Sequence, residues 1–164
     1  MISAQTEALK KPIRDAIIKL CVEAHQEQDF RNLFTYVSSG GWHFLAYHDE
    51  LLVSHAMVTT RWLQTKDLLL LKTAYIDAVS TRPAYQDQGY GSALMQQLAS
   101  EIDRQYVIAC LETDRETFYE RLGWQTWRGP LAGRRDSDLI PTPEQHGVMV
   151  LPLSQTPLLI LIRC

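Results

Sequence analysis

Cysteine is scarce. Cys21, Cys110 and Cys164 are too few and too scattered for a disulfide framework. Neither a Cys-x-x-Cys nor a His-x-x-x-His pair is present, and His25, His43, His48, His55 and His146 each stand alone, so no metal is expected. No uncharged apolar run approaches the ~18 residues of a membrane span. The N-terminus also lacks the basic-then-apolar order of a secretory signal. Charge of one sign is scarce too: 16 Lys and Arg against 19 Asp and Glu leave a net charge of −3. That excludes the electrostatic footprint of a nucleic-acid binder or of a protein held on an anionic membrane. Repeats and low-complexity segments are absent. A cytoplasmic protein with neither nucleic acid nor membrane as partner is the expectation.

What is present suits one domain over residues 1–164, with 46% hydrophobic and 21% charged residues, enough to bury a core without disulfides or a metal. Residues 9–24 carry Ile13, Ile17, Leu20, Cys21 and Ala24 at helical spacing, and a short helix follows near Asp29–Tyr36. Ser38-Ser39-Gly40-Gly41 breaks the chain. Trp42–His48, Leu51–Leu63 and Leu68–Ser80 read as an antiparallel meander turned at Asp49-Glu50 and Lys66-Asp67. Gln88 to about Arg104 is helical, with Leu94, Met95, Leu98 and Ile102 on one face. Tyr106–Glu112 follows as a buried strand, then a short helix over Asp114–Leu122 that stops at Gly123. Trp124–Arg128, Val148–Leu151 and Leu158–Ile162 are strands, and residues 129–145 are loop-like. The class is α/β in the α+β sense: a mixed, largely antiparallel central sheet flanked by helices, with a right-handed strand–helix–strand crossover.

The most informative stretch runs from Tyr75 to Met95. A buried strand ends, a loop follows, and Gln86-x-x-Gly89-x-Gly91 opens a helix. Glycine lets the backbone approach a ligand, and the unpaired N–H groups of a helix start suit a phosphate. Other phosphate loops fit poorly. Ser92-Ala93 follows Gly91 where a Walker loop needs Lys-Ser/Thr, and Leu94 stands where a dinucleotide fingerprint needs a small residue. The Gln/Arg-x-x-Gly-x-Gly/Ala motif, the preceding strand Ile76-Asp-Ala-Val79 and the downstream Phe118-Tyr-Glu-Arg-Leu-Gly-Trp124 resemble the GCN5-related N-acetyltransferases (GNAT superfamily) over roughly residues 42–128. Tyr119-Glu-Arg-Leu-Gly-Trp-Gln-Thr-Trp-Arg-Gly-Pro130, Thr142-Pro-Glu144 and Val148-Met-Val-Leu-Pro152 resemble, more narrowly, the aminoglycoside 2′-N-acetyltransferases.

The resemblance implies acetyl transfer from acetyl-CoA to a small-molecule amine, directly in a ternary complex. The backbone of Gln88, Gly89, Tyr90, Gly91 and Ser92, with Gln86 before them, would cradle the pyrophosphate. The amide-like pantetheine arm would pair with the strand near Val79 and Thr81. An amine with a pKa of about 10 must lose a proton, and a thiolate must be stabilised on leaving. Asp77 matches the carboxylate that takes the amine proton, commonly through water; the related enzymes usually carry Glu there. Burying Asp77 unpaired would be costly, so the alternatives are a base, a substrate anchor, or a structural carboxylate paired to a neighbouring Lys or Arg such as Lys72. Tyr119 matches the family's general acid; alternatively it packs the short helix, although Phe118 already offers a core-facing aromatic.

A cationic acceptor needs carboxylates around it. Asp29, Asp77 and Glu112 are the substrate-side candidates, with Asp49, Glu50 and Glu144 as further acidic positions. Gln145 stands where the aminoglycoside enzymes are acidic, and the sequence given ends at Cys164 without their acidic–aromatic tail. The transfer machinery therefore carries over more fully than the acceptor site. His55 reads as a core or edge-strand histidine, and Cys110 as a buried, inert thiol. Trp124 and Trp127 either line the acceptor pocket or pack the sheet. Arg134-Arg135 is either a solvated pair or a contact to the coenzyme's 3′-phosphate. A polyamine, amino acid or peptide amine is the alternative acceptor, and a non-catalytic acyl-CoA-binding module the alternative of another class. Retention of both Asp77 and Tyr119 favours catalysis. A homodimer is left open.

Overall fold

The computed structural model describes residues 1–37, 39–65, 70–136 and 138–157. The chain divides into two compact units, Met1–Arg61 with Tyr75–Ile102, and Trp62–Ala74 with Asp103–Cys164.

The first unit holds strand β1 (Ile2–Gln5), helices α1 (Lys11–His25), α2 (Leu33–Tyr36) and α3 (Tyr90–Ile102), strand β2 (Trp42–His48), and parts of β3 (Leu51–Gln64) and β4 (Leu70–Thr81). Its strand order is β1-β2-β3-β4. Helix α1 starts with Pro12 in its first turn, where a missing N–H costs nothing, and ends at Gln26, whose left-handed backbone returns its N–H to Val22 O at 2.9 Å. Its apolar stripe buries Ile17, Leu20 and Cys21 in a core shared with Leu9, Leu33, Leu45, Leu52 and Ala78. Strands β2 and β3 form an antiparallel hairpin around Asp49-Glu50, with one register shift between Ala46 and Tyr47. Strand β1, antiparallel to β2, escapes sequence reading because Ile-Ser-Ala-Gln is too short to show a period. Helix α3 buries Leu94, Met95, Leu98 and Ile102, the face its spacing predicts.

The second unit holds β5 (Ile108–Glu112), helix α4 (Glu116–Glu120), and strands β6 (Gln125–Thr126), β7 (Ala132–Arg135), β8 (Asp138–Pro141) and β9 (Val148–Pro152). Its order is β4-β5-β9-β6, with β9 antiparallel to both β5 and β6. The Val107 N–H donates to Lys72 O at 2.8 Å where β5 begins beside β4. The chain joins β4 to β5 through α3, a crossover and not a hairpin. The mixed α+β class with a largely antiparallel sheet is as expected. The loop expected over 129–145 is corrected: β7 and β8 pair antiparallel as an exposed hairpin, Ala132 opposite Pro141 and Arg135 opposite Asp138. Strand Trp124–Arg128 shrinks to Gln125–Thr126, and helix Asp114–Leu122 to Glu116–Glu120. The turn at Lys66-Asp67, the strand Leu158–Ile162 and Cys164 lie outside the described residues.

Gly147 fixes the entry to β9. Its carbonyl accepts the Thr113 N–H at 3.0 Å, its φ is +65°, and a Cβ there would lie 1.8 Å from Thr113 O. Gly147→Ala is expected to destabilise the protein by about 2–3 kcal/mol through this clash and the left-handed strain. Urea unfolding checks it; an unchanged midpoint contradicts the close approach.

Candidate active site

Strand β4 ends at Thr81, and the loop that follows is tied down by its own residues. Arg82 is buried; its N–H donates to Val53 O at 2.9 Å, its Nε donates to Leu52 O at 2.8 Å, and its guanidinium pairs with Glu23. A 3-10 turn over Pro83–Tyr85 follows. Gln86 is spent within the loop: its N–H donates to Pro83 O and its Nε2 to Thr81 O at 3.1 Å. Gln88 Nε2 likewise donates to Ala84 O at 2.8 Å.

The first helical bond of α3 runs from the Ala93 N–H to Gly89 O at 2.9 Å, so the N–H groups of Tyr90, Gly91 and Ser92 have no partner within the helix. Gly89 is exposed at φ +87°, and a Cβ placed on it would meet nothing within 4 Å. The result is a set of N–H groups at the positive end of a helix dipole with open space beside Gly89, chemistry that suits an anion such as a pyrophosphate. Val79 and Thr81, expected along the pantetheine arm, are half-buried at the end of β4. Beside the loop, Tyr90 Oη lies 2.6 Å from His48 Nδ1, and the rings of His48, Tyr85 and Tyr90 contact one another.

Asp77 lies four residues before Thr81 and is exposed, so the burial cost expected of it does not arise. Its Oδ1 accepts the Ala78 N–H at 2.7 Å. Ala78 is left-handed, φ +49°, inside the strand. Among the ion pairs of the described residues none involves Asp77; in the second unit, Lys72 Nζ lies 4.8 Å from the Tyr106 ring centre. Asp29 is exposed in the turn before α2. The Tyr36 phenol is pushed up first by partial burial and then by the charges of Asp77, Cys21 and Asp29, so both carboxylates act on one exposed ring. Nearby, His25 stacks on Phe30 at 4.7 Å and its Nε2 lies 3.0 Å from Ser80 Oγ. Sequence reasoning did not single out Tyr36, Ser80 or His25.

The second unit carries Tyr119 and Glu112. Tyr119 is 6% exposed and Phe118 half-buried, which reverses the expectation that Phe118 is the core-facing ring. Tyr119 meets Phe118 and Trp124 edge-on, at 4.9 and 5.9 Å between ring centres. Burial pushes its phenol up to about 12, with Arg115 opposing and Asp114 reinforcing the shift. Glu112 is exposed at the end of β5, opposite Val148. Trp124 is buried, while Trp127 is half-buried with its Nε1 unpartnered among the described residues. Arg134 and Arg135 are exposed on β7, and Arg134 Nη2 donates to Gln64 Oε1 at 2.7 Å. Asp49, Glu50 and Glu144 are exposed, and Gln145 Oε1 accepts the Thr142 hydroxyl at 2.7 Å.

Cys21 and Cys110 are both buried, and burial pushes the Cys21 thiol up to about 11. His55 is fully buried, as a core histidine should be, and burial lowers it to about 3. Among the described residues no group of three or more His, Cys, Asp or Glu side chains could hold a metal, and no helix is long and apolar enough to cross a membrane.

Residues 7–127 match the acetyltransferase (GNAT) domain family. Over 152 residues the chain is 30% identical to an aminoglycoside 2′-N-acetyltransferase of Mycolicibacterium fortuitum, covering 90% of this chain and 76% of that protein. The ribosomal-protein-S18-alanine N-acetyltransferase of Escherichia coli superposes with a TM-score of 0.63 at 20% identity, covering 95% of this chain and 96% of that one. A GCN5-related N-acetyltransferase of Anabaena variabilis also gives 0.63, at 17% identity over 76% of this chain; this chain spans about a third of its length, 32%. These two likenesses bear on fold alone.

The Tyr119 shift has a stability consequence. A phenol at about 12 in the fold and near 10 when unfolded adds stability that is fully present below pH 10 and lost as pH rises through 12. The expected outcome is a steeper fall in unfolding free energy between pH 10 and 12 for the wild type than for Tyr119→Phe, read by denaturant titration at each pH. Parallel profiles would contradict the burial-driven shift.

Proposed function

The chain belongs to the GNAT acetyltransferase family, and from that premise we propose that it moves an acetyl group from acetyl-CoA to a primary amine of a small molecule, with an aminoglycoside-like aminosugar as the acceptor class. The observation that carries the reading is the set of unpaired N–H groups over Tyr90–Ser92 behind the open Gly89, which suits the coenzyme pyrophosphate. The acceptor class is supported by the relative's name and by two exposed carboxylates, Asp29 and Asp77, acting on Tyr36. The reading takes residues 1–164 as a single acetyltransferase domain in the cytoplasm, with the amine as its partner. A polyamine, amino acid or peptide amine is the second reading, favoured by Gln145, a neutral amide whose Oε1 accepts the Thr142 hydroxyl where the aminoglycoside enzymes are acidic.

The coenzyme supplies the acetyl thioester. The chain's own residues do the rest. Oδ1 of Asp77 is committed to the Ala78 N–H, which leaves Oδ2 to take the amine proton, directly or through a water. Tyr119 is protonated at neutral pH, as any phenol near 10 is, and burial pushes it further up, to about 12. That lies above the ~8.5 of a thiol, so full proton transfer from the phenol to the leaving sulfur runs uphill. The phenol therefore stabilises the thiolate by a hydrogen bond, and protonation is completed from solvent. With both described thiols buried and Cys21 held near 11, direct transfer is favoured over an acetyl-cysteine.

Three variants test this by released thiol and calorimetry. Asp77→Asn is expected to keep acetyl-CoA binding and lower kcat ~10²-fold or more; a raised KM at constant kcat makes Asp77 an anchor instead. Tyr119→Phe is expected to lower kcat ~10²-fold with binding intact; a normal kcat returns Tyr119 to packing. Gly89→Asp places a carboxylate against the pyrophosphate and should abolish acetyl-CoA binding in a folded protein; unchanged binding removes the loop from the site.

A further inference from the structure

We propose that His55 is a positioning residue for the Asp77 carboxylate, acting through the Ala78 peptide, and that Thr6 and His43 set its tautomer through a one-way chain of buried hydrogen bonds. The catalytic meaning of this inference rests on the acetyltransferase reading; its geometry does not.

Ala78 stands at φ +49° inside β4, a conformation that costs a residue with a Cβ roughly 1–2 kcal/mol. Both of its peptide groups are held. Its N–H donates to Asp77 Oδ1 at 2.7 Å, and its carbonyl accepts from His55 Nδ1 at 3.0 Å. Ser80 Oγ, 3.2 Å from the same carbonyl, is shared with Cys21 Sγ at 3.4 Å and His25 Nε2 at 3.0 Å; His55 Nδ1 also faces Cys21 Sγ, but at 3.8 Å against 3.0 Å to the carbonyl, so the imidazole is the closer donor to Ala78 O. Releasing the carbonyl lets Ala78 relax toward the extended region, and the Asp77–Ala78 peptide must then turn to keep the strand in register, which takes its N–H from the carboxylate.

The direction of the chain follows from its end. A carbonyl only accepts, so His55 carries its proton on Nδ1. Both rings are buried and neutral, lowered to about 4 for His43 and about 3 for His55, chiefly by burial. His55 Nε2 is therefore bare and accepts from His43 Nδ1, 2.9 Å away. His43 Nε2 is bare in turn and accepts the Thr6 hydroxyl proton across 3.1 Å. The same hydroxyl also reaches Gly41 O at 3.0 Å; that carbonyl accepts the Thr6 N–H at 2.8 Å and so keeps a partner when the hydroxyl proton turns to His43. With the His55 proton on Nδ1, every donor along the chain points toward Ala78.

The test compares three variants of the full chain. The Asn Nδ2 takes the place of the imidazole Nδ1, and the Gln Nε2 that of the imidazole Nε2. His55→Asn should therefore keep kcat within about twofold, while His55→Gln and His55→Leu lower kcat ~10-fold or more with the acetyl-CoA KM unchanged. A space-filling role predicts the opposite ranking of Asn and Gln. Two readouts need no turnover. Nitrogen-15 spectra of the wild type should show both rings protonated at Nδ1 and bare at Nε2. The Ala78 amide proton should follow the titration of Asp77 in the wild type and His55→Asn, and not in His55→Gln. An Nε2–H tautomer in either ring, or an Ala78 amide that still tracks Asp77 in His55→Gln, overturns the proposal. If the wild type acetylates no amine, the acetyltransferase reading fails while the tautomer and amide readouts still decide this one. If His55→Leu does not fold, the Asn–Gln comparison stands without it.

Discussion

A strand that must bury one face and present a carboxylate on the other has to control its backbone at the point of presentation. In β4 that point is Ala78, left-handed between an exposed Asp77 and a half-buried Val79. The conformation is unfavourable by itself, so it persists only because hydrogen bonds on both sides favour it. Each contributes about 1 kcal/mol net, and a buried donor left unmade costs about 1–3 kcal/mol. The second figure matters more. Thr6 lies just after β1, His43 on β2 and His55 on β3, and each is buried, so displacing any one leaves a polar atom stranded in the core. One chain of hydrogen bonds thereby ties β1 through β4 into a single arrangement around the carboxylate.

Much of this fold was legible in the sequence. Strand β2 runs over Trp42–His48 as its composition indicates, the Asp49-Glu50 turn closes the hairpin, and α3 buries the four residues its period selects. The glycine pair at the start of α3 also stands where the motif puts it. The histidine chain was not legible, for a reason visible in the register. The turn pairs His48 with Leu51 and Tyr47 with Leu52; continued without a break, it would set His55 opposite Phe44 and put His43 on the other face. The shift between Ala46 and Tyr47 sets His55 opposite Leu45 instead, which brings His43 and His55 to the same face. A one-residue slip leaves no trace in hydrophobic periodicity. The exposure of Asp77 was hidden by its apolar neighbours, and the Phe118–Tyr119 orientation by a helix of five residues, too short to show a face. The β7–β8 hairpin, exposed throughout, has no alternation to read.

The two ends of the proposed reaction draw on different physics. At the loop, Arg82, Gln86 and Gln88 use their side chains to hold backbone carbonyls, and the N–H groups behind Gly89 are the ones proposed for the coenzyme. At Tyr119, burial pushes the phenol's ionisation further up, to about 12, and the group donates a hydrogen bond without ionising. At Asp77, solvent exposure does the reverse: an accessible carboxylate with one oxygen committed and one free can exchange a proton with an amine and pass it to water. Hydrogen-bond donor and base roles are thus separated by environment as well as by residue type.

The most direct test of the account is product analysis by mass spectrometry after incubation with acetyl-CoA and a panel of aminosugars, polyamines and amino acids. The account predicts that an aminosugar gains an acetyl group on one amine, with one thiol released per acetyl transferred and no acetyl carried on the protein at any time. Acetyl-CoA bound but no amine acetylated, or an acetyl-protein species that forms before product, would contradict it.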